Sequence, residues 1–259
     1  VKGKQEAERS DRNFFPFRFE VRFMRVTIHQ PQFLPWLGYL DKIDRADLFI
    51  VLDTVQFKKH EWQNRNRIRT ASGWQWVTVP VLQQFGQRID EVRINPTAAW
   101  RAQHLRAIEM HYARAPYRDR YLPELRGLYE RTWVKLCDLN VAVIRWLLEA
   151  YGIATPVRLA SEWPAREEPT GRLIDLCRAV RATSYLAGPG ADGYMDKPRF
   201  EASGVRLEIQ AFRHPVYRQV YEPFEPNMSA IDLLLLQGPE ALATLRRTRS
   251  GREESMTAA

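Results

Sequence analysis

Cysteine is scarce: Cys137 and Cys177 are the only two in 259 residues. Both fall in expected amphipathic helices among apolar neighbours, a setting for buried free thiols rather than a disulfide. There is no CxxC and no Cys/His cluster, which argues against a structural metal. His104 and His111 lie on one expected helix without HExxH spacing, so they do not suggest a metal pair. No apolar run approaches the roughly 20 residues that cross a bilayer, so no membrane insertion is expected. The start lacks the basic-then-apolar order of a secretory leader. No internal repeat or lysine-bearing P-loop is present. A soluble, cytoplasmic protein in a reducing compartment is the expectation.

Negative charge is also in short supply, with 31 Asp and Glu against 39 Lys and Arg and a formal charge of +8. Part of the excess sits in ends that read as dispensable: Lys2, Lys4, Arg9, Arg12, Arg18 and Arg22, then Arg246, Arg247, Arg249 and Arg252. A phosphate-bearing partner and simple solubilising charge fit equally. No dedicated nucleic-acid module is visible, which leaves nucleic acid a weak choice of partner.

What is present is enough apolar residue, 45%, to build one large domain or two small ones. Residues 1–23 read as an extension: FFPFRFEVRF alternates aromatic and charged positions, as an added edge strand or an arm on a partner would. Residues 24–238 read as an α/β domain, Rossmann-like, with a mostly parallel central sheet and a helical insertion at about 97–150. Residues 239–259 read as a C-terminal helix and tail. A buried strand at 26–28, a helix at 39–47 and a second strand at 47–53 make a βαβ opening, which favours a right-handed crossover. The polar stretch 54–73 reads as loop, 74–81 as a third strand and 89–94 as a further strand or edge. Helices follow at 97–113, 117–130 and 133–150, the last with an apolar stripe. A second α/β stretch then has a helix at 170–180, strands at 183–186 and 205–211, and a helix at 228–236.

In open parallel sheets, ligands bind beyond the carboxyl ends of the strands. His29, Gln30 and Gln32 follow the first strand, Asp53 and Gln56 the second, and Gly188 and Gly190 a later one, so one cleft is expected to collect them. His29 fits a general base, a substrate-orienting group or the partner of a buried carbonyl. Asp53 fits a group that polarises an amine, a magnesium ligand or a turn cap. The segment DTVQFKKHEWQNRNRIRT carries Lys59, Arg65 and Arg67 beside Trp62, Gln63, Asn64 and Asn66. Arginine forks match phosphate or carboxylate, amides read hydroxyls and carbonyls, and an indole stacks on a sugar or base. A solvated basic loop with one anchored tryptophan fits the same residues. LAGPGADGYMD offers either an anion-binding turn or a plain Gly-Pro turn. HPVYRQ adds His214 and Tyr217 as candidates. NMSAIDLLL reads as a capped helix, with Ser229 an alternative cap and Asp232 in an early turn. No Ser or Cys nucleophile motif stands out, which favours direct transfer over a covalent enzyme intermediate.

Taken in order, HQPQFLPWLGYLDKI, LDTVQFKKHEWQNRNRIRT, WQWVTVPV, SYLAGPGADGYMD, HPVY and SAIDLLLLQG resemble the WbqC-like family over roughly residues 24–238. The resemblance implies a bacterial protein associated with surface-polysaccharide or O-antigen biosynthesis. By extension it implies a transferase, acting by acyl or aminoacyl transfer to an amino-sugar nucleotide. A sugar nucleotide or sugar phosphate and an activated donor would be its partners, a homo-oligomer is admitted, and the cofactor is unknown. More remotely, PQFLPWLGYL is similar to the FxPxHxGH loop of nucleotidylyltransferases, with Trp36 and Tyr39 at the two histidine positions and Gly38 retained. Those histidines stabilise transferring phosphoryl charge. Nucleotidyl or phosphoryl transfer is therefore the alternative enzyme reading, and a non-catalytic sugar-ligand binding protein the alternative outside enzymes.

Overall fold

The computed structural model describes residues 23–249 apart from 192 and 194. Residues 1–22 of the extension expected at 1–23, and the final basic residue, Arg252, lie outside the described residues.

Val26, Thr27 and Ile28 are all buried, so β1 (Arg25–His29) has packed layers on both faces. The helix α1 (Leu37–Asp44) starts two residues earlier than the spacing predicts, directly after Trp36, and is followed by β2 (Leu48–Val51). The ring of Trp36 lies over Gly38, where a Cβ would come 2.4 Å from the indole, so this close approach requires glycine.

The stretch expected as loop at 54–73 instead contains β3 (Arg65–Thr70), which pairs antiparallel with β4 (Gly73–Thr78). Its two-residue period is written in polar residues: Asn66 and Ile68 face inward while Arg65 and Arg67 stay partly exposed. The expected third strand splits into β4 and β5 (Val81–Leu82), both outside the central sheet. Residues 89–94 form a 3-10 turn, Ile89–Glu91, and the two-residue β6 (Arg93–Ile94) that pairs with β5.

Three helices then follow, α2 (Trp100–His111), α3 (Arg118–Glu130) and α4 (Leu136–Tyr151). Beyond them come β7 (Val157–Leu159), α5 (Pro169–Ala179), β8 (Ser184–Ala187), α6 (Lys197–Ala202), β9 (Arg206–Ile209), α7 (Ile231–Gln237) and α8 (Ala241–Arg247).

The central sheet is parallel in the order β7-β2-β1-β8-β9. The chain steps outward from β1 through β2 to β7, then returns to the other side of β1 for β8 and β9. Strand order therefore reverses between β1 and β8. These two strands pair only at Arg25↔Ser184 and Val26↔Tyr185, whereas β1 and β2 pair from Val26↔Leu48 to His29↔Val51.

Leu40 and Ile43 of α1 share one apolar core with Phe49, Tyr112, Leu125, Ile144 and Leu233, which joins α2–α4 and α7 to the sheet. Val26, Ile50, Leu173, Cys177 and Phe200 belong to the second core, under α5 and α6. Both cysteines are buried free thiols, and burial pushes each up to about 12. His104 is a core residue, 5.3 Å from Trp100 and 6.0 Å from Phe33 between ring centroids.

The C-terminal arginines are not mere solubilising charge. Arg246 and Arg249 clamp α1, with Arg246 on Asp44 at 2.7 Å and Arg249 on the buried Asp41 at 2.7 Å. No helix among the described residues is long and apolar enough to cross a membrane.

Candidate functional site

β1 ends at His29, and Pro31 and Pro35 keep the following chain out of helix until Trp36. The imidazole is half-buried. Its Nδ1–H donates to the Gln30 carbonyl at 3.0 Å, because that oxygen can only accept. Tyr39 donates its hydroxyl to the same carbonyl at 3.1 Å, and its ring meets the imidazole edge-on at 5.0 Å. This arrangement fixes the tautomer and leaves Nε2 as the lone-pair nitrogen. Burial, then the neighbouring Lys42 charge, lower the imidazole to about 3, so it is neutral near pH 7.

Lys42 is a site residue that the sequence reading did not single out. It is 2% exposed on α1, a helix whose residues Leu37–Ile43 are all buried. Helical side chains lean toward the helix N-terminus, so its stem runs back toward the carboxyl edge of the sheet. There the Nζ lies 3.9 Å from where a Cβ on Gly188 would be. Burial lowers the amine to about 7. The available signal was a lysine in an otherwise buried helix that follows a ligand-facing turn.

His29, Gln30, Lys42, Tyr185, Gly188 and Gly190 line one cavity of about 330 Å³, at the crevice where strand order reverses. Lys42 enters from the α1 face, and Leu173 of α5 closes the cavity from the other face of the sheet. Gln30 also lines a larger cleft of about 740 Å³ beyond β2 and β7, together with Gln56, Lys58, Arg88, Arg166 and Arg172. Arg88 is paired with Asp90 at 2.6 Å and Arg166 with Asp175 at 2.7 Å.

The other sequence candidates lie elsewhere or serve the frame. Asp53 is buried and accepts from the Ser161 backbone N–H at 3.0 Å and the Ser161 hydroxyl at 2.6 Å, tying the end of β2 to the end of β7. Gln63 Nε2 donates to Gln30 Oε1 at 2.8 Å, and Gln63 Oε1 accepts from the Lys58 N–H at 3.1 Å. Asn64 donates to the Val79 carbonyl at 3.0 Å, and Asn66 donates to the Phe33 and Leu34 carbonyls at 3.2 and 2.8 Å. Gln32 is buried, its Oε1 without a hydrogen-bond partner among the described residues.

Lys59 is exposed and lines neither cavity. Arg65 stacks over Trp76 at 4.2 Å and donates to the His60 carbonyl; Arg67 lies 4.8 Å from Trp74 and 5.3 Å from Trp62. The hairpin thus carries an arginine–tryptophan surface held by cation–π contacts.

His214 donates from Nδ1 to the Pro215 carbonyl at 2.8 Å and accepts the Asn227 N–H on Nε2 at 3.1 Å. Tyr217 donates to Asp232 at 2.7 Å. Asp232 also accepts from Tyr112 at 2.8 Å and Gln219 at 2.9 Å, and burial raises its carboxyl. Asp232 does lie in the first turn of α7, but its hydrogen bonds make it a buried hub between α2, the 211–230 segment and α7.

Among known proteins, the model of the WbqC-like protein family matches residues 30–244. A Mycobacterium tuberculosis protein named "Uncharacterized protein Rv1507c" is 37% identical over 233 residues, covering 87% of this chain and 99% of that protein. No solved structure matches.

Proposed function

The chain belongs to the WbqC-like protein family, and from that premise we propose that it is a transferase of bacterial surface-polysaccharide or O-antigen biosynthesis. It transfers an acyl or aminoacyl group to an amino-sugar nucleotide held at the carboxyl edge of a Rossmann-like sheet. The observation that carries this reading is the cavity at the strand-order reversal, with a neutral imidazole and a buried amine facing it. Counted within the sheet, the strands run 3-2-1-4-5, the order shared by five strands of doubly wound nucleotide-binding sheets. The adjoining cleft, lined by Lys58, Arg88, Arg166 and Arg172, suits the remainder of such an anionic ligand.

In this reading the nucleotide-linked sugar lies along the edge with its amine beside His29. A base there takes the amine's proton, and the free amine attacks the carbonyl carbon of an activated donor. The donor's leaving group departs with the electron pair of the broken bond. His29 presents its Nε2 lone pair to this site, while Asp53 holds the ends of β2 and β7 in register. Nucleotidyl transfer draws less support, because Trp36 is packed on Gly38 and Phe212, and Tyr39 is buried. Neither supplies the positive charge that the paired histidines give in that chemistry.

The test is a mass-spectrometric screen of purified protein against nucleoside-diphosphate amino sugars with acyl and aminoacyl donors. An N-acylated sugar nucleotide is the expected product. Tight sugar-nucleotide binding without turnover across matched donors would replace the enzyme with a ligand-binding protein.

A further inference from the structure

Lys42 is a buried amine that finds no counter-ion among the described residues. The acid beside it in sequence, Asp41, is committed to Arg45 at 2.9 Å, Arg249 at 2.7 Å and Gln210 at 2.7 Å. Asp53 is committed to Ser161. Among the described residues lining the cavity, the titratable side chains are His29, Lys42 and Tyr185, and none of them is a carboxylate. Its displaced titration has burial as its one cause, with no ion pair or hydrogen bond acting against it.

A lysine sequestered in this way is costly unless something compensates the charge. The cavity supplies room for a compensating group, and the glycines at 188 and 190 leave that room free of side chains. The surroundings select the sign of the occupant. The connected cleft presents Lys58 and Arg172, whose side chains reach no carboxylate among the described residues, in addition to the paired Arg88 and Arg166. A ligand crossing both spaces through Gln30 meets cations at each end of its path.

We infer that Lys42 is the seat of a phosphoryl group, and that it takes up a proton from solvent as that group binds. The inference rests on reading this cavity as the ligand site, and it places the diphosphate of a nucleotide-linked substrate at the crevice between β1 and β8 rather than on the Arg65–Arg67 hairpin. The empty site holds a largely neutral amine above neutral pH. The bound phosphoryl charge favours the ammonium form, so the binding reaction is protein amine plus proton plus phosphoryl anion giving an ammonium–phosphoryl pair. His29 is neutral while the ligand binds and offers no competing positive charge at that stage.

The experiment is calorimetric titration of the full chain with UDP-glucose at pH 8, in buffers of different ionisation enthalpy. The phosphodiester oxygens of this ligand do not titrate near pH 8, so any buffer dependence reports on the protein. Uptake approaching one proton per ligand bound is expected. Lys42→Met is expected to abolish the uptake and weaken binding tenfold or more, whereas Lys42→Arg keeps affinity within a few-fold and also loses the uptake. Binding to Lys42→Met with wild-type affinity, or wild-type binding with no uptake, would overturn the inference while leaving the cavity reading intact.

A second measurement needs no variant. The Lys42 side-chain NMR titration in wild-type protein is expected to shift its midpoint upward in the presence of sulfate, a phosphoryl mimic without a proton to exchange near neutrality. An unmoved midpoint would overturn the phosphoryl seat. A failed transferase screen with intact proton-coupled binding would instead remove only the catalytic reading.

Discussion

At the scale of single residues, the turn between β1 and α1 depends on what a side chain must not occupy. Gly38 sits under the Trp36 indole, with a substituent methyl falling 2.4 to 2.7 Å from ring atoms. Trp36 is itself held edge-on by Phe212 at 5.3 Å, so the ring cannot swing away without opening a second contact. Gly38→Ala is therefore expected to destabilise the protein by about 1–3 kcal/mol, the usual cost of overpacking, despite alanine's better helix propensity. Urea unfolding of the variant checks this; unchanged stability would mean that the indole moves freely. Tyr217 makes the complementary case, since its hydroxyl satisfies a carboxylate that is fully buried. Tyr217→Phe leaves Asp232 with two of its three described side-chain donors, Tyr112 and Gln219, and is expected to cost about 1.5–3 kcal/mol in the same assay.

At the scale of elements, β3 acts as a brace for the turn that carries the site. Leu34 is fully buried with φ 44°, a left-handed conformation unfavourable for a leucine. The Asn66 amide holds it there by donating to both the Phe33 and Leu34 carbonyls, while the Ser229 N–H donates to the Arg67 carbonyl at 2.9 Å and joins the hairpin to the α7 end. Asn66→Ala is expected to lose about 2–3 kcal/mol and to loosen residues 31–35, which hydrogen exchange would localise. Protection there equal to wild type would show that β3 is not the brace.

This brace also explains what the sequence could convey. β1, β2 and β8 are legible as short apolar runs because both faces of a parallel sheet are buried. β3 is not, because RNRIRT writes its alternation in polar residues: Asn66 goes inward to hydrogen bonds and Arg69 is buried among carbonyls of Thr70, Gly73, Tyr221 and Pro223. The strand-end rule leads to His29, Gln30, Gly188 and Gly190, four residues that line one cavity. It does not lead to Lys42, because a charged residue in a short helix reads as solvated until burial of the whole helix is seen. Arg65 and Arg67 read as ligand forks for the converse reason: their tryptophan partners on β4 are distant in sequence pattern though adjacent across the hairpin.

Over the whole molecule, the shifts of His29, His104 and Lys42 shape how stability depends on pH, with His111 and His214 lowered in the same sense. His29 is lowered to about 3 and His104 to about 4 from 6.5, and Lys42 to about 7 from 10.5, each chiefly by burial. In every case the folded value is the lower one, so the unfolded chain binds more protons between the two values, and stability rises with pH across that interval. The histidines act between about pH 3 and 6.5, where the buried Asp232, its carboxyl raised, opposes them and the lowered Asp44 reinforces them at the acid end. Lys42 acts from about pH 7 upward. The raised thiols of Cys137 and Cys177 titrate to about 12 in the fold against 9.0 outside it, so they begin to remove stability only around and above pH 9. The interval from pH 7 to 9 therefore belongs chiefly to Lys42. Without ligand, the free energy of unfolding is expected to rise there by on the order of 2 kcal/mol, since a pKa unit corresponds to about 1.4 kcal/mol. Lys42→Met should flatten the rise and be the more stable protein at pH 7, because an apolar side chain replaces an uncompensated buried charge. Urea titrations of both proteins at pH 7, 8 and 9 decide it: parallel slopes would mean that the Lys42 charge is already compensated in the empty fold.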